Sequence, residues 1–478
     1  MVLIALPEAR EDIIARREEI VRELRKLVGP EGVIDDAAGR RAYETDALTA
    51  YRCMPLAVVL PTSTEEISRV LAYCNENGIK VVARGAGTSL SGGALPQEDA
   101  IVLGVSKMNR VIEVDYQNRV ARVEAGITNI AISEAVAGAG FFYAPDPSSQ
   151  FACTLAGNIA MNSGGAHCLK YGVTTNNVLG VKMVLMTGEV VEIGGEGLDS
   201  PTYDLLALVV GSEGQLGVVT EATVRILPAA EAARPMLLGF ATSKAAGACV
   251  AAIIGAGIIP VAIEFMDRPA IEVCDDFAKA GYPRDVEALL IVEVEGSESE
   301  IETLLARIGE IAKAFEPKAL RVSQSEAESA AIWKGRKAAF GAMGHISDYY
   351  CMDGVIPLRK LPDVLVEISR ICTHFSLPVA NIFHAGDGNL HPLILYDANN
   401  EEEARRAEIC GAEILKHCVK VGGCLTGEHG VGIEKRDLMG LQFTRSELEQ
   451  QMRIKTAFDP NWLLNPAKVF PLEGRETS

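Results

Sequence analysis

The 478 residues predict two or three domains, because one hydrophobic core rarely serves a chain of this length. A hydrophobic content of 48% is typical of a globular protein, and a net charge of -19 argues against nucleic acid or anionic lipid as a partner. No apolar run approaches the ~20 residues of a membrane-spanning helix, and the apolar start at residues 2–6 is too short for a signal peptide. We therefore expect a cytoplasmic protein without a membrane span of its own.

The eleven cysteines are scattered and include no Cys-x-x-Cys pair. This pattern predicts thiols in a reducing compartment, and it argues against an iron–sulfur cluster or a cysteine zinc site on this chain. If the protein transfers electrons, they must therefore leave to a carrier elsewhere.

Changes in composition along the chain predict an α+β protein with four segments, at residues 1–54, 55–228, 229–423 and 424–478. The first is a helical segment, in which an amphipathic helix over residues 11–27 packs on its own domain. In the second, strands at residues 57–60 and 80–83 flank a helix at residues 65–77. The third alternates helices with strands, which predicts a sheet covered by helices.

A glycine-rich loop is predicted to bind phosphate. Residues 84–93 read Arg-Gly-Ala-Gly-Thr-Ser-Leu-Ser-Gly-Gly and follow a predicted strand. The glycines let backbone N–H groups approach phosphate oxygens, and Arg84 adds positive charge. The dinucleotide fingerprint Gly-x-Gly-x-x-Gly is not met, because Leu90 stands at its third glycine. A phosphate loop of another fold is therefore favoured, with a structural turn as the alternative.

Two later segments strengthen this interpretation. Residues 143–165 are dominated by small and hydroxyl side chains, which let a flat, bulky ligand lie against the backbone. Residues 211–220 read Gly-Ser-Glu-Gly-Gln-Leu-Gly-Val-Val-Thr. In this order the three segments resemble the FAD-binding domain of the vanillyl-alcohol-oxidase superfamily, which has the two-part PCMH-type fold.

The resemblance implies FAD, with its pyrophosphate at residues 84–93. That loop has no histidine for a covalent flavin link, so we expect non-covalent FAD. The resemblance also implies that residues 229–423 form a substrate-binding cap and that residues 424–478 return to the FAD domain. The residues expected to contact FAD are Arg84, Gly85, Ala86, Gly87, Thr88, Ser89, Gly92, Pro145, Asp146, Thr154, Gly157, Asn158, Asn162, Gly164, Gly165, Val219 and Asn465.

Two histidines are predicted to face each other across a hairpin. Residues 379–395 contain two apolar runs that flank an Asp-Gly pair, a favoured two-residue turn. That turn would place His384 directly opposite His391 on one face, with Cβ atoms roughly 5 Å apart. Asn389 would lie on the same face. Two imidazoles so placed can share a metal, and a cross-strand polar pair is the alternative.

The segment Gly-Glu-His-Gly-Val-Gly at residues 427–432 offers a carboxylate beside a histidine. A His-His-carboxylate set with open positions suits a divalent metal that also binds substrate, while helix capping is the alternative for Glu428. Together with the hairpin, this segment resembles the metal-assisted 2-hydroxy-acid dehydrogenases of the same superfamily. The resemblance implies that His384, His391 and Glu428 bind the metal, with Zn or Mn expected, and that His429 is the general base.

Arg336 is the predicted substrate anchor. The resemblance implies that the arginine of a Trp-x-x-Arg pattern, here residues 333–336, binds the substrate carboxylate, and a solvated basic helix face is the alternative. Family members selective for a dicarboxylic acid carry a threonine four residues later, where this chain has Phe340. This difference predicts a smaller monocarboxylic substrate. Residues 333–340 and 348–357 are most similar to the glycolate oxidase branch of the family.

The predicted function is oxidation of a small 2-hydroxy acid, glycolate or D-lactate, to the 2-keto acid by hydride transfer to FAD. A divalent metal and a histidine base would assist. The resemblance to the glycolate oxidase branch also implies a second flavin subunit and an iron–sulfur subunit as partners, through which the protein would associate with the membrane. The alternatives are a stand-alone D-lactate or D-2-hydroxyglutarate dehydrogenase and a non-catalytic electron-relay flavoprotein subunit.

Overall fold

The computed structural model describes residue 4, residues 6–197 and residues 202–472. These residues fall into two units. The seven-strand unit comprises Gly165–Tyr171 and Ala230–Gly427, and the glycine-loop unit comprises Ile4–Gly164, Gly172–Ala229 and the chain from Glu428 onward. Each unit combines sheets with helices, so the predicted α+β class is confirmed. None of the helices within the described ranges is long and apolar enough to cross a membrane.

The N-terminal helix of the glycine-loop unit is divided in two. Helices Glu11–Ala15 and Arg17–Val28 meet at Arg16, where a single continuous helix was predicted. Ile13 and Leu24 are buried in an apolar core, which confirms that this amphipathic segment packs on its own domain.

A four-stranded sheet carries the glycine-rich loop. Its strands, in spatial order, are Val33–Ile34, Ala57–Val59, Ala100–Gly104 and Lys80–Arg84, and the last three run parallel. The helix Thr64–Glu76, which was predicted at residues 65–77, begins after Ser63, whose hydroxyl accepts a hydrogen bond from the N–H of Glu66. The loop leaves the sheet at the carboxyl end of a parallel strand, which is the edge where open α/β sheets bind ligands.

A five-stranded antiparallel sheet forms the other part of the glycine-loop unit. In spatial order its strands are Val111–Asp115, Val120–Glu124, Val218–Arg225, Val178–Val184 and Val190–Gly194. A second apolar core lies against this sheet. The further elements of the unit are the strand pair Phe141–Phe142 and Leu227–Pro228 and the helices Ala37–Arg41, Asn129–Ala137, Leu155–Met161, Leu206–Val209, Met439–Gln442 and Arg445–Phe458.

The seven-strand unit is built on one antiparallel sheet. Its spatial order is Ala319–Val322, Ala232–Phe240, Ala288–Gly296, Ala262–Asp267, Val379–His384, Pro392–Tyr396 and Asp348–Cys351. The central strand Ala262–Asp267 is buried along its whole length, as expected for a strand with apolar residues on both faces. The helices are Cys168–Tyr171, Ser243–Gly255, Arg268–Ala278, Glu298–Lys313, Glu326–Lys337, Ala339–Gly344, Leu361–His374 and Glu401–Lys420.

Candidate active site

The glycine-rich loop presents a row of backbone N–H groups. Within the described chain, the N–H groups of Gly85, Ala86, Gly87 and Thr88 donate to no backbone or side-chain acceptor. Gly87 has a φ of +75°, a conformation that glycine adopts without strain. Unpaired N–H groups are costly unless water or a ligand accepts from them, and a turn lined with them attracts anions. The loop therefore has the chemistry of a phosphate-binding site.

The side chain of Arg84 is engaged with the N-terminal segment of the same unit. Its Nη1 donates to the carbonyl oxygen of Thr45 at 2.7 Å, and its guanidinium carbon lies 5.3 Å from the ring centre of Tyr43. Burial lowers the pKa of Arg84, although the nearby carboxylate of Asp46 acts in the opposite direction. Arg84 thus adds positive potential at the root of the loop.

Ser89 and Gly92 shape the far end of the loop. The Oγ of Ser89 accepts hydrogen bonds of 3.3 Å from the N–H groups of Ser91 and Gly93. Gly92 has a φ of +76°, and a Cβ atom there would lie 2.4 Å from a side-chain carbon of Ile433. Glycine is therefore required at this position by both conformation and space.

Thr154 lies directly against the loop. A Cβ atom on Gly85 would be 2.2 Å from the Oγ1 of Thr154, so a larger residue cannot occupy position 85 without displacement. Thr154 also caps the helix Leu155–Met161, because its Oγ1 accepts from the N–H of Gly157 at 3.3 Å. The helix ends at Met161, and the residue that follows it, Asn162, has a left-handed φ of +52°.

The other residues predicted to contact FAD are divided between the units. Asn129 donates to the side chain of buried Asn158 at 3.1 Å and to the carbonyl oxygen of Pro145 at 3.0 Å. The glycine-loop unit also contains Asp146, Gly164 and buried Val219, whereas Gly165 belongs to the seven-strand unit. Their contacts with FAD remain predictions.

Asn465 connects three parts of the glycine-loop unit. Its Oδ1 accepts from the N–H of Ala83 at 2.9 Å, and its Nδ2 donates to the carbonyl oxygen of Gly214 at 2.7 Å. The residue is buried and has a positive φ of 45°, which asparagine tolerates better than most side chains. Both ends of this amide are therefore used to hold the backbone beside the glycine-rich loop.

The segment that carries Glu428 and His429 is held firmly within the glycine-loop unit. The Oε2 of Glu428 accepts a hydrogen bond from the N–H of Gly164 at 3.1 Å. The backbone carbonyl of His429 accepts one from the hydroxyl of Ser91 at 2.9 Å. The predicted base is thus attached to the glycine-rich loop through its backbone.

Glu213 is a further anchor of this segment, and the sequence interpretation assigned it no role. Its two buried carboxylate oxygens accept from the N–H groups of Val431 and Gly432, at 2.6 and 2.7 Å. Burial raises the pKa of Glu213, and these two hydrogen bonds act in the opposite direction. An acid within the glycine-rich run at residues 211–214 was the available signal.

In the seven-strand unit, the histidine hairpin forms with a register different from the predicted one. Ala380 pairs with Leu393, and His384 stands opposite Asn389 instead of His391. Four residues, 385–388, form the turn where two were predicted. Because the register shift is two residues, the predicted face survives: the two histidine rings are diagonal neighbours with centroids 5.3 Å apart and planes at 86°.

Both histidines use Nδ1 to contact an oxygen acceptor. The Nδ1 of His384 lies 2.8 Å from the Oε1 of Glu264, and the Nδ1 of His391 lies 3.2 Å from the carbonyl oxygen of Met352. Metal-binding histidines in proteins commonly hold one ring nitrogen this way and bind the metal with the other. The pair therefore fits the chemistry of two Nε2 ligands.

Glu264 is a fully buried charge in this arrangement, and sequence reasoning missed it. Its Oε2 accepts from the Nε of Arg336 at 2.8 Å and lies 2.5 Å from Nη2 of the same guanidinium. Burial would raise the pKa of Glu264, but Arg336 and His384 outweigh it and hold that pKa below the ordinary value. Glu264 therefore joins the predicted substrate anchor to a predicted metal ligand.

Asp353 holds the last residues of the seven-strand unit. Gly427 donates its N–H to the carbonyl oxygen and to the Oδ2 of Asp353, at 2.9 and 3.0 Å. A Cβ atom on Gly427 would lie 2.5 Å from the side chain of Asn389, so only glycine fits there. Glu428 is the next residue along the chain.

The fold has a clear counterpart among solved structures. The structure of p-cresol methylhydroxylase with substrate bound matches 98% of this chain and 99% of its own, with a TM-score of 0.81 and 18% identity. A structure of alkyldihydroxyacetonephosphate synthase matches 97% of this chain and 87% of its own, with a TM-score of 0.74 and 18% identity. The two-part PCMH-type fold is therefore confirmed.

Comparison with protein families and curated proteins identifies the family. A family described as FAD linked oxidases, C-terminal domain, matches residues 229–469, and one described as FAD binding domain matches residues 55–194. Glycolate oxidase subunit GlcD of Escherichia coli strain K12 is 47% identical over 98% of this chain and 93% of its own length. GlcD of Bacillus subtilis strain 168 is 37% identical, covering 96% and 98%. A D-lactate dehydrogenase of Archaeoglobus fulgidus is 33% identical, covering 94% and 98%.

The chain belongs to the FAD-linked oxidases. This confirms the predicted flavoprotein and the predicted FAD-linked oxidoreductase of the 2-hydroxy-acid dehydrogenase group.

Proposed function

We propose that the protein oxidises glycolate to glyoxylate, with FAD as the hydride acceptor. A divalent metal and His429, as the general base, assist the reaction. The observation that carries this proposal is that the carboxylate of Glu264 contacts both Arg336 and His384. The carboxylate thereby holds a guanidinium that can bind a substrate carboxylate beside an imidazole that can bind a metal. That pairing matches a substrate that bears a carboxylate next to a hydroxyl.

A small substrate is favoured by Phe340. Its ring centre lies 6.3 Å from that of His391 and 6.1 Å from that of Tyr349. The phenyl ring of Phe340 offers no donor to a second carboxylate, and burying an unpaired carboxylate would be costly. Glycolate and D-lactate suit such a ring better than a 2-hydroxy dicarboxylic acid.

The proposed metal ligands are His384, His391 and Glu428, with Zn²⁺ or Mn²⁺ as the expected ion. Two imidazole nitrogens and one carboxylate suit either ion and leave positions for the substrate. When bound, the metal would lower the pKa of the substrate hydroxyl, and FAD would accept the hydride from C2.

The remaining steps belong to the side chains of this chain. Arg336 would hold the carboxylate and fix the orientation of C2. His429 would take the proton of the hydroxyl, a role that suits an imidazole because its ordinary pKa lies near neutral pH. The backbone N–H groups of Gly85 to Thr88 would donate to the FAD pyrophosphate, and FAD would be bound without a covalent link.

D-Lactate is the second candidate substrate, because a D-lactate dehydrogenase is among the relatives and the methyl group of D-lactate, unlike a second carboxylate, needs no polar partner beside an apolar ring such as that of Phe340. Stand-alone D-lactate or D-2-hydroxyglutarate dehydrogenase and an electron-relay subunit remain the alternatives. We also infer that electrons pass to partner subunits, one with a second flavin and one with an iron–sulfur cluster, and that membrane association occurs through them. A native pull-down that returns this polypeptide alone, fully active toward quinone, would contradict the inferred partners.

Anaerobic flavin bleaching tests the proposed reaction. Holoprotein mixed with glycolate, D-lactate or D-2-hydroxyglutarate should lose its flavin absorbance fastest with glycolate. His429→Ala should keep FAD but bleach about 100-fold more slowly, whereas His374→Ala, which changes an exposed histidine, should bleach at the wild-type rate. Absence of bleaching with all three acids would contradict the proposed function, and an unchanged rate in His429→Ala would remove His429 from its role.

Metal analysis tests the ligand set. Purified protein should contain about one divalent ion per chain, and His384→Ala should lose it while keeping FAD. Fully active protein without a divalent metal would contradict the metal part of the proposal and leave the flavin part intact.

A further inference from the structure

Glu264 occupies an unusual place for a charged residue. It lies in the central strand Ala262–Asp267, whose other side chains up to Met266 are apolar, and it is fully buried. A carboxylate removed from water destabilises the fold unless it is paired, and even a paired one is often no better than an apolar residue. Stability alone therefore does not account for a glutamate here.

The backbone explains how one carboxylate reaches two partners. Glu264 and His384 stand directly opposite each other on adjacent antiparallel strands, so their side chains are neighbours on one face. Arg336 comes from the last turn of the helix Glu326–Lys337, above that face. The helix approaches closely because Gly335 leaves room for Tyr282, whose hydroxyl would be 2.5 Å from a Cβ atom at position 335.

Resting on the proposed roles of His384 and Arg336, we propose that Glu264 is a positioning residue that fixes the metal-binding ring and the substrate-binding guanidinium with one carboxylate. Its Oε1 holds Nδ1 of His384, which assigns the metal to Nε2. Its Oε2 holds the Nε and Nη2 edge of Arg336, which assigns the substrate carboxylate to the Nη1 side. Metal binding and carboxylate recognition are coupled through this residue.

The coupling distinguishes Glu264 from an ordinary structural ion pair. If the carboxylate is replaced by an amide, one half of the new side chain is a donor and only the other accepts. Facing Arg336 with its oxygen, the amide would donate to Nδ1 of His384 and force the proton onto Nε2, where the metal binds. Facing His384 with its oxygen, the amide would oppose the N–H groups of Arg336. Each orientation of the amide therefore weakens either metal binding or carboxylate binding. A side chain that alternates between the two orientations weakens both.

Glu264→Gln in the full-length, FAD-loaded protein is the test. Zn²⁺ affinity, measured by competition with a chromophoric chelator, should fall about 10- to 100-fold. At saturating metal, the KM for glycolate should rise about tenfold, while FAD content stays at the wild-type value. Glu264→Asp keeps the charge on a side chain one methylene shorter, so its Zn²⁺ affinity should lie between those of the wild type and Glu264→Gln. The aspartate variant replaces Glu264→Gln in the test if the glutamine variant does not fold.

Glu293→Gln is the matched control. Glu293 is a buried glutamate of the neighbouring strand, and it accepts from the Nε1 of Trp333 at 2.6 Å. Its amide variant should leave the Zn²⁺ affinity at the wild-type value. Wild-type Zn²⁺ affinity and KM in Glu264→Gln would overturn this inference and leave the proposed function standing. Wild-type protein that binds no divalent metal, or whose metal content is unchanged by His384→Ala, would overturn both this inference and the metal part of the proposed function.

Discussion

The hydroxyl of Ser91 donates a 2.9 Å hydrogen bond to the backbone carbonyl of His429. The carbonyl of Ser91 in turn accepts from the N–H groups of Ile433 and Glu434. One serine of the glycine-rich loop therefore holds the segment of the proposed base at two points, at His429 and at residues 433–434. Within the glycine-loop unit, the proposed phosphate site and the proposed base form one connected backbone structure.

Ser91→Ala should slow flavin reduction about fivefold, because a neutral hydrogen bond contributes roughly 1 kcal/mol and its loss leaves the backbone of His429 less well fixed. FAD content should not change. Anaerobic stopped-flow reduction by glycolate measures the rate, and Ser106→Ala, at an exposed serine, controls for the substitution. A loss of FAD with an unchanged rate per bound flavin would show that Ser91 serves the cofactor instead.

Gly85→Ala should weaken FAD binding at least tenfold. The added Cβ would lie 2.2 Å from the Oγ1 of Thr154 and 3.4 Å from the N–H nitrogen of Gly157, so the loop or the helix cap must move. The flavin-to-protein ratio after gel filtration measures the effect. Gly138→Ala is the control, since a Cβ at that position meets no atom within 4 Å. A full complement of FAD in Gly85→Ala would contradict the proposed pyrophosphate site.

Asn465→Asp should destabilise the protein by about 1–3 kcal/mol. The aspartate can still accept from the N–H of Ala83, but it would place an oxygen against the carbonyl of Gly214, where the amide now donates. The temperature of flavin release should therefore fall. Asn461→Asp repeats the change at an exposed position. Equal release temperatures in the two variants would show that the buried amide is not needed to hold this part of the loop.

Much of the fold was predictable because local signals agreed with tertiary structure. The cap at Ser63 and the strand that ends at Arg84 follow from residue types within a few positions of each other. The turn of the histidine hairpin was not predictable in this way. Its Asp-Gly pair favours a two-residue turn. In the structure, however, the N–H of Gly386 donates to the carbonyl oxygen of Ile263, and the carbonyl oxygen of Gly388 accepts from the N–H of Ile356. These long-range bonds select the four-residue turn.

In the candidate site, the role of Glu264 was likewise not predictable from the sequence. Its partners lie 72 and 120 residues away, so no spacing rule in the sequence connects them. The one local signal was a single acid within the apolar run of residues 262–266. A lone charge in a predicted central strand indicates a buried pair, but it does not identify the partner.

Asp267, at the end of that strand, should make stability depend on pH. Its Oδ2 accepts from the N–H and the Nδ2 of Asn381, at 2.8 and 2.7 Å, and its Oδ1 accepts from the N–H of Ala270. Burial outweighs these hydrogen bonds and raises the pKa of Asp267 from 3.8 to about 6. A carboxyl whose pKa is higher in the folded state stabilises that state below the unfolded pKa. The contribution declines as the pH rises and is lost above the folded pKa.

Relative to Asp267→Asn, the wild-type protein should therefore lose about 3 kcal/mol between about pH 4 and pH 7, since each unit of pKa shift corresponds to about 1.4 kcal/mol. Asp267→Asn also loses hydrogen bonds, which changes its free energy of unfolding at every pH. The readout is therefore how the difference in free energy of unfolding between the two proteins changes with pH, and not its absolute value. Urea unfolding in a Trp462→Phe background reports on the seven-strand unit, because the chain has two tryptophans and Trp333 lies in that unit. Asp204→Asn, at an exposed aspartate, controls for the change in net charge. A difference between wild type and Asp267→Asn that stays constant across this pH range would show that Asp267 is already ionised throughout it in the folded protein.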